Sequence, residues 1–201
     1  MPKLLLIRHG KTKLHKEDRF WGSTNIGLSE EGTKQAEQLG NRLSKEKISA
    51  VYASTLGRAR ATAEIIAAPH HREVVACPEL CECNFGYIEG LTYAEIKKLY
   101  PALAEELDKR TAVAFPGGES LEQMNGRILS FLKKLEKHKP QDTIIIVAHG
   151  GPVRLIICNL LGLEIKHWQQ LRIDLASLSI VDTYPAISYL NLLNDTSHLL
   201  S

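Results

Sequence analysis

The run Thr143-Ile144-Ile145-Ile146-Val147-Ala148-His149-Gly150-Gly151-Pro152 begins as an unbroken apolar, largely β-branched stretch and ends in a histidine, two glycines and a proline. A stretch of this kind reads as a strand buried on both faces, as occurs where helices cover both sides of a parallel sheet. The run Leu4-Leu5-Leu6-Ile7-Arg8-His9-Gly10 has the same form and the same ending. Further β-branched runs at residues 50–53, 74–76, 178–181 and 187–192 add four strands. Between them lie helical patterns. Ser29 precedes Glu30 and Glu31, with Ala36, Leu39 and Leu43 on one face, and a second helix covers 56–68. A third over 92–99 stops at Pro101 and resumes over 102–107. Leu121, Met124, Ile128, Phe131, Leu132 and Leu135 recur at helical spacing over 120–138. A last helix opens with Pro152 at its first position and closes before Gly162. Strands alternating with helices predict a three-layer α/β/α fold with a mostly parallel central sheet. The last two strands, adjacent in sequence, predict an antiparallel hairpin at one edge. No repeat or linker composition divides the chain, so residues 1–201 are expected to form one domain.

Composition narrows the function. The 201 residues carry 25 Lys plus Arg against 23 Asp plus Glu, a formal charge of +2, which leaves no broad cationic field for nucleic acid or an anionic membrane. No apolar run approaches the ~20 residues a bilayer requires, and the first seven residues are too short for a signal peptide. A cytoplasmic protein is expected, and four cysteines in a chain of this length fit a reducing compartment. A symmetric homodimer is the assembly expected of a soluble enzyme.

In an open parallel sheet, ligands bind beyond the carboxyl ends of the strands. His9 and His149 therefore emerge side by side where sites form. The glycines behind them permit tight turns, and the helix after Gly151 presents an N-terminus that favours negative charge. Arg8 precedes the first histidine, and Arg58 stands early in the helix after the 50–53 strand; a guanidinium offers a planar fork that matches phosphate oxygens in pairs.

The segments Arg8-His9-Gly10-Lys11-Thr12, Ser54 to Ala63, Leu80-Cys81-Glu82-Cys83-Asn84-Phe85-Gly86-Tyr87-Ile88-Glu89-Gly90 and His149-Gly150-Gly151 resemble, in order, the four signatures of the histidine phosphatase superfamily, also called phosphoglycerate mutase-like. The resemblance implies His9 as the nucleophile that becomes phosphorylated, Arg8, Arg58 and His149 as the phosphate pocket, and Glu82 as proton donor to the leaving oxygen. It implies the phosphoglycerate mutase-like fold, a small-molecule phosphate monoester as substrate, and no metal or other cofactor. The chemistry is coherent: two guanidiniums and an imidazole spread the charge of a dianion as its phosphoryl group moves, and His9 attacks as a neutral ring. The stretch Phe20-Trp21-Gly22-Ser23-Thr24-Asn25 is similar to that of bacterial α-ribazole phosphatases of cobalamin synthesis, which implies a phosphatase. The short interval between Glu82 and His149 lacks the insertion with which phosphoglycerate mutases retain a bisphosphate. A broad-specificity phosphatase, a mutase and a non-catalytic binding module stay open as alternatives.

Other residues read less sharply. Lys11 is either a charge at the pocket rim or a solvated loop lysine, and His15 stands where some relatives have a phosphate-contacting Asn. His70, His71, Cys77, Cys81 and Cys83 lack the paired Cys-x-x-Cys spacing of a zinc site. Cys81 and Cys83 read as packed on one face of an extended segment, and Cys158 as core. Arg60 and Arg154 read as helix-surface charges. Residues 20–25 and 115–120 are loop candidates for substrate contact.

Overall fold

A computed structural model describes residues 2–14, 19–109 and 114–200. In chain order the elements are β1 (Lys3–Arg8), α1 (Glu30–Leu43), β2 (Ala50–Ala53), α2 (Gly57–Ala67), β3 (Val74–Ala76), α3 (Tyr93–Leu99), α4 (Pro101–Asp108), α5 (Leu121–Lys134), β4 (Thr143–Ala148), α6 (Gly150–Leu161), β5 (Leu178–Thr183) and β6 (Ser188–Asp195). The strands form one sheet in the order β3-β2-β4-β1-β5-β6. β3, β2, β4 and β1 run parallel, while β5 and β6 are antiparallel, with β6 at the edge.

Alternation along the strands builds the layers. Leu5 and Ile7 of β1, with Ile145 and Val147 of β4, pack into a core with Leu39 and Leu43 of α1 and Ala59, Ala63 and Ile66 of α2. Leu4, Leu6, Ile144 and Ile146 point the other way, into a core with Met124, Ile128 and Phe131 of α5 and Val153, Leu155 and Ile156 of α6. The result is a three-layer α/β/α fold. Burying each such Leu or Ile stabilises it by roughly 1.5–3 kcal/mol, which explains why two-sided burial selected an uninterrupted apolar run. A smaller cluster of Ile88, Ile96, Leu103 and Ala104 lies under α3 and α4. Among the described residues no helix is long and apolar enough to cross a membrane.

Caps fix the helix starts. The Ser29 hydroxyl accepts from Gly32 N at the head of α1, and Ser120 with Gln123 forms a capping box on α5. Gly162 ends α6 in the left-handed region at φ 67°. Two boundaries differ from expectation. α6 opens at Gly150 with His149 as its N-cap, so Pro152 is the third helical residue. The first four N–H groups of a helix have no internal partner, so a proline there removes no hydrogen bond. α5 ends at Lys134 and continues as a single 3-10 turn, Leu135–Lys137, where one long helix was expected.

β1 and β4 are in register from Lys3↔Thr143 to Arg8↔Ala148, and Ala53 at the end of β2 faces Val147. The residues that follow, His9, His149 and Ser54, therefore leave the same edge of the sheet together.

Candidate active site

His9 enters the site with its backbone held from both sides. Its N–H donates to Ala148 O (3.0 Å), and its carbonyl accepts from Ala176 N (3.1 Å). The ring is nearly buried, and its Nδ1 lies 2.7 Å from Gly10 O. A carbonyl only accepts, so Nδ1 carries the proton and Nε2 turns a lone pair to the site. His149 packs edge-on against it, ring centroids 4.9 Å apart. Its Nε2–H donates to Ser54 Oγ (2.8 Å), which leaves Nδ1 unprotonated. Burial first, and the charges of the surrounding groups second, hold His149 well below the ordinary imidazole range.

Arg58 joins the two rings. Its Nε–H lies 3.3 Å from His9 Nε2 and 3.2 Å from His149 Nδ1, so one donor is shared between two lone pairs. Nη1 donates to Thr24 O (2.8 Å) and Nη2 to Gly22 O (2.6 Å). The guanidinium is only 2% exposed, and burial works against its charge while Glu82 and Glu89 support it. One turn along α2, Thr62 Oγ1 donates to Arg58 O (2.8 Å) and accepts from Gly10 N (3.2 Å), tying the arginine to the loop behind His9.

The carbonyls that hold Arg58 are fixed in turn by Glu89. Its carboxylate accepts from the backbone N–H groups of Gly22, Ser23, Thr24 and Phe85 and from the hydroxyls of Ser23 and Thr24. Burial alone would push this carboxyl up, but those donors together hold it below the ordinary range. Asn25 Oδ1 accepts from Gly57 N (2.7 Å), supplying α2 with a cap that Leu56 lacks.

Arg8 donates through Nη1 to Ile173 O (2.7 Å), while its buried Nε meets no hydrogen-bond partner among the described residues. Burial lowers its pKa, with Glu82 acting in the opposite direction. Glu82 sits at the head of α6. Its Oε2 accepts from Gly151 N (3.3 Å) and its Oε1 from Cys83 N (3.0 Å). A Cβ on Gly151 would stand 2.4 Å from Oε1, so any larger residue would force the carboxylate out of this position. Arg8, His9, Arg19, Trp21, Arg58 and Glu82 line a cleft of about 190 Å³. This arrangement can receive a tetrahedral dianion between cations and a helix N-terminus, with an imidazole lone pair on one side and a carboxyl on the other.

Of the five expected site residues, His9, Glu82, Arg8 and Arg58 line this cleft, while His149 is fully buried behind them against His9 and Arg58. Ser54, Thr62, Glu89 and Arg154 were given no role from sequence. Arg154 is not a surface charge: its Nε donates to Leu171 O (2.7 Å), it lies over the Trp168 ring, and its Nη1 approaches Gly150 beside the Arg8 guanidinium. Glycine four residues earlier in the same helix, next to His149, was the available signal. Arg60 behaves as read, pairing with Glu64 one turn away. Lys11 pairs with Glu31 on α1 at 2.6 Å, and His15 lies outside the described residues. Cys77, Cys83 and Cys158 are buried, whereas Cys81 is half-buried with its Sγ near Thr55 Oγ1 (3.0 Å) and Ser54 Oγ (3.4 Å). Among the described residues no three His, Cys, Asp or Glu side chains gather as a metal would require. Of the loop candidates, Trp21 lines the cleft, Phe20 and Phe115 line a separate apolar cavity, and Ser23, Gly118 and Glu119 line a wide cleft beside Glu82.

A sequence profile described as "Histidine phosphatase superfamily (branch 1)" matches residues 4–196. The chain is 32% identical to Phosphoserine phosphatase 1 of Hydrogenobacter thermophilus over 200 residues, covering 99% of this chain and 95% of that protein. It is 39% identical to Phosphoglycerate mutase-like protein 4 of Arabidopsis thaliana over 157 residues, 76% of this chain and 68% of that one. The crystal structure of the alpha-ribazole phosphatase from Shigella flexneri superposes with a TM-score of 0.89 at 27% identity, covering 96% of each chain.

Proposed function

The chain belongs to the histidine phosphatase superfamily, branch 1, and on that footing we propose that it is a cytoplasmic phosphomonoesterase working through a phosphohistidine, with α-ribazole 5'-phosphate of cobalamin biosynthesis as its substrate. His9 and Glu82 are the catalytic residues, and Arg8, Arg58 and His149 bind the phosphate. The observation that carries this reading is the Nδ1 to Gly10 O bond of His9, because it leaves the Nε2 lone pair facing the cations.

In the first step Nε2 attacks phosphorus, the P–O bond to the alcohol breaks, and the departing oxygen takes its electron pair and a proton from Glu82. In the second step water attacks phosphorus as Glu82 accepts its proton, the P–N bond breaks, and its electron pair returns to Nε2. Arg8 contributes an Nε that is buried and without a partner among the described residues, so a phosphate oxygen there satisfies it. Neutral His149 accepts from Arg58 Nε and packs on the His9 ring, holding both beside the phosphate without adding a fixed charge.

Release to water, rather than return of the phosphoryl group to a second alcohol, is supported by the short interval between Glu82 and His149. The likeness to the Shigella phosphatase supports the substrate. Rapid quenching during turnover of p-nitrophenyl phosphate is expected to trap an acid-labile phosphoryl label that His9→Ala lacks together with all turnover. Turnover by His9→Ala would overturn the mechanism. In a panel of monoesters, inorganic phosphate is expected from α-ribazole phosphate at the highest kcat/KM; phosphate transfer to an added glycerate without release would favour a mutase instead.

A further inference from the structure

We propose that the wide cleft on the far side of Glu82 is the subsite for the leaving alcohol, and that it selects neutral hydroxylated alcohols over carboxylated ones. This rests on the phosphatase reading above and adds to it a class of substrate. The cleft, about 410 Å³, is lined by Ser23, Asn84, Glu119, Gln123 and Arg127 together with Glu82. Glu82 also lines the phosphate cleft and is the one residue common to both linings. A proton donor must reach the ester oxygen, and the leaving oxygen lies in line with and opposite to the attacking nitrogen. The ester oxygen therefore sits at Glu82 and the rest of the alcohol extends into the second cleft. The apolar cavity lined by Phe20, Phe85, Phe115, Met124 and Trp168 has no residue in common with the phosphate cleft and is not on this path.

The hydrogen-bonding groups on the wall of the second cleft set its preference. Its cation is already engaged: Arg127 donates from Nε and Nη2 to the two Glu119 oxygens (2.7 and 2.9 Å) and from Nη1 to Glu79 O (2.6 Å). A carboxylate arriving on the alcohol would meet a guanidinium whose Nε and Nη2 already hold the Glu119 carboxylate. Neutral donors are offered instead. Asn84 Oδ1 accepts from Gly86 N (2.9 Å) and Gln123 Oε1 from Ser120 N (2.8 Å). Each amide is thereby oriented, and its NH2 group makes no hydrogen bond among the described residues. Two preset amide donors suit the oxygens of a sugar or polyol.

Glycerol phosphate and 3-phosphoglycerate differ only by a CH2OH in place of a carboxylate, so their ratio reads the preference directly. The protein is expected to favour glycerol phosphate by about ten-fold or more in kcat/KM, the discrimination reached when a site leaves an ion unpaired. Equal rates, or preference for 3-phosphoglycerate, would overturn the proposal. Gln123→Glu keeps the capping acceptor and removes the amide donor, and is expected to lower the ratio of glycerol phosphate to p-nitrophenyl phosphate turnover about five-fold, the worth of one hydrogen bond. An unchanged ratio would count against it. Glu119→Gln releases Arg127 and is expected to raise 3-phosphoglycerate relative to glycerol phosphate about ten-fold; no shift would again overturn the assignment. Failure of the unaltered protein to release phosphate from any of the three esters would instead overturn the phosphatase reading, and this inference with it.

Discussion

Arg58 has all three nitrogens engaged by the protein: two hold carbonyls of the 22–24 loop and the third bridges two imidazoles. A lysine carries the charge but not the fork, so Arg58→Lys is expected to lose about 100-fold in kcat/KM, close to the loss from Arg58→Ala. Ser54 fixes the tautomer of His149 by accepting its Nε2–H. Ser54→Ala leaves that buried donor unsatisfied, and kcat/KM is expected to fall about ten-fold while the two-step kinetics persist. The paired Arg-His and His-Gly endings made Arg8, His9 and His149 legible in the sequence, and the surrounding motifs pointed to Arg58 and Glu82. Ser54, Thr62 and Glu89 were not legible, because each acts on a residue reached only through the fold: Ser54 on His149, Thr62 on Gly10, and Glu89 on a loop more than sixty residues earlier.

Elements buried on both faces were read closely, since for β1 and β4 no choice of register exposes a polar side. Where the strand is a half-exposed edge, as in β6, the alternation ran three residues past the expected end, to Asp195. The start of α6 was misread because Pro152 is compatible with any of the first helical positions. That start matters to the chemistry, since it brings Gly151 N to Glu82. Gly151→Ala is expected to cut kcat/KM at least ten-fold by displacing the carboxylate, with Tm changed by no more than a few degrees. The 22–25 loop is likewise an element built from one anchor. Glu89→Gln substitutes a donor for an acceptor among several N–H groups and is expected to weaken inhibition by inorganic phosphate about ten-fold. The same substitution made in an Arg58→Ala background should have little further effect, because the loop acts through that arginine.

Across the whole molecule, His149, His70 and His198 all have pKa values lowered from 6.5, burial being the first cause in each. The unfolded chain therefore binds protons near pH 6.5 that the folded chain refuses, so stability is full above that pH and declines as pH falls below it. Carboxylates held low, including Asp195 at about 2, add a second loss on further acidification. Thermal melts are expected to peak above pH 6.5 and to drop between pH 6.5 and 5. Inorganic phosphate at 100 times its Kd should restore about 2.7 kcal/mol by binding only the folded form. A melt independent of pH across that range would contradict the buried neutral histidines. β1 is flanked by β4 (Thr143–Ala148) on one side and β5 (Leu178–Thr183) on the other, so both of its ladders join it to strands far along the chain. Leu4, Leu5, Leu6 and Ile7 are therefore covered only once contacts of high sequence separation form, and the imidazole they precede acquires its surroundings late in folding.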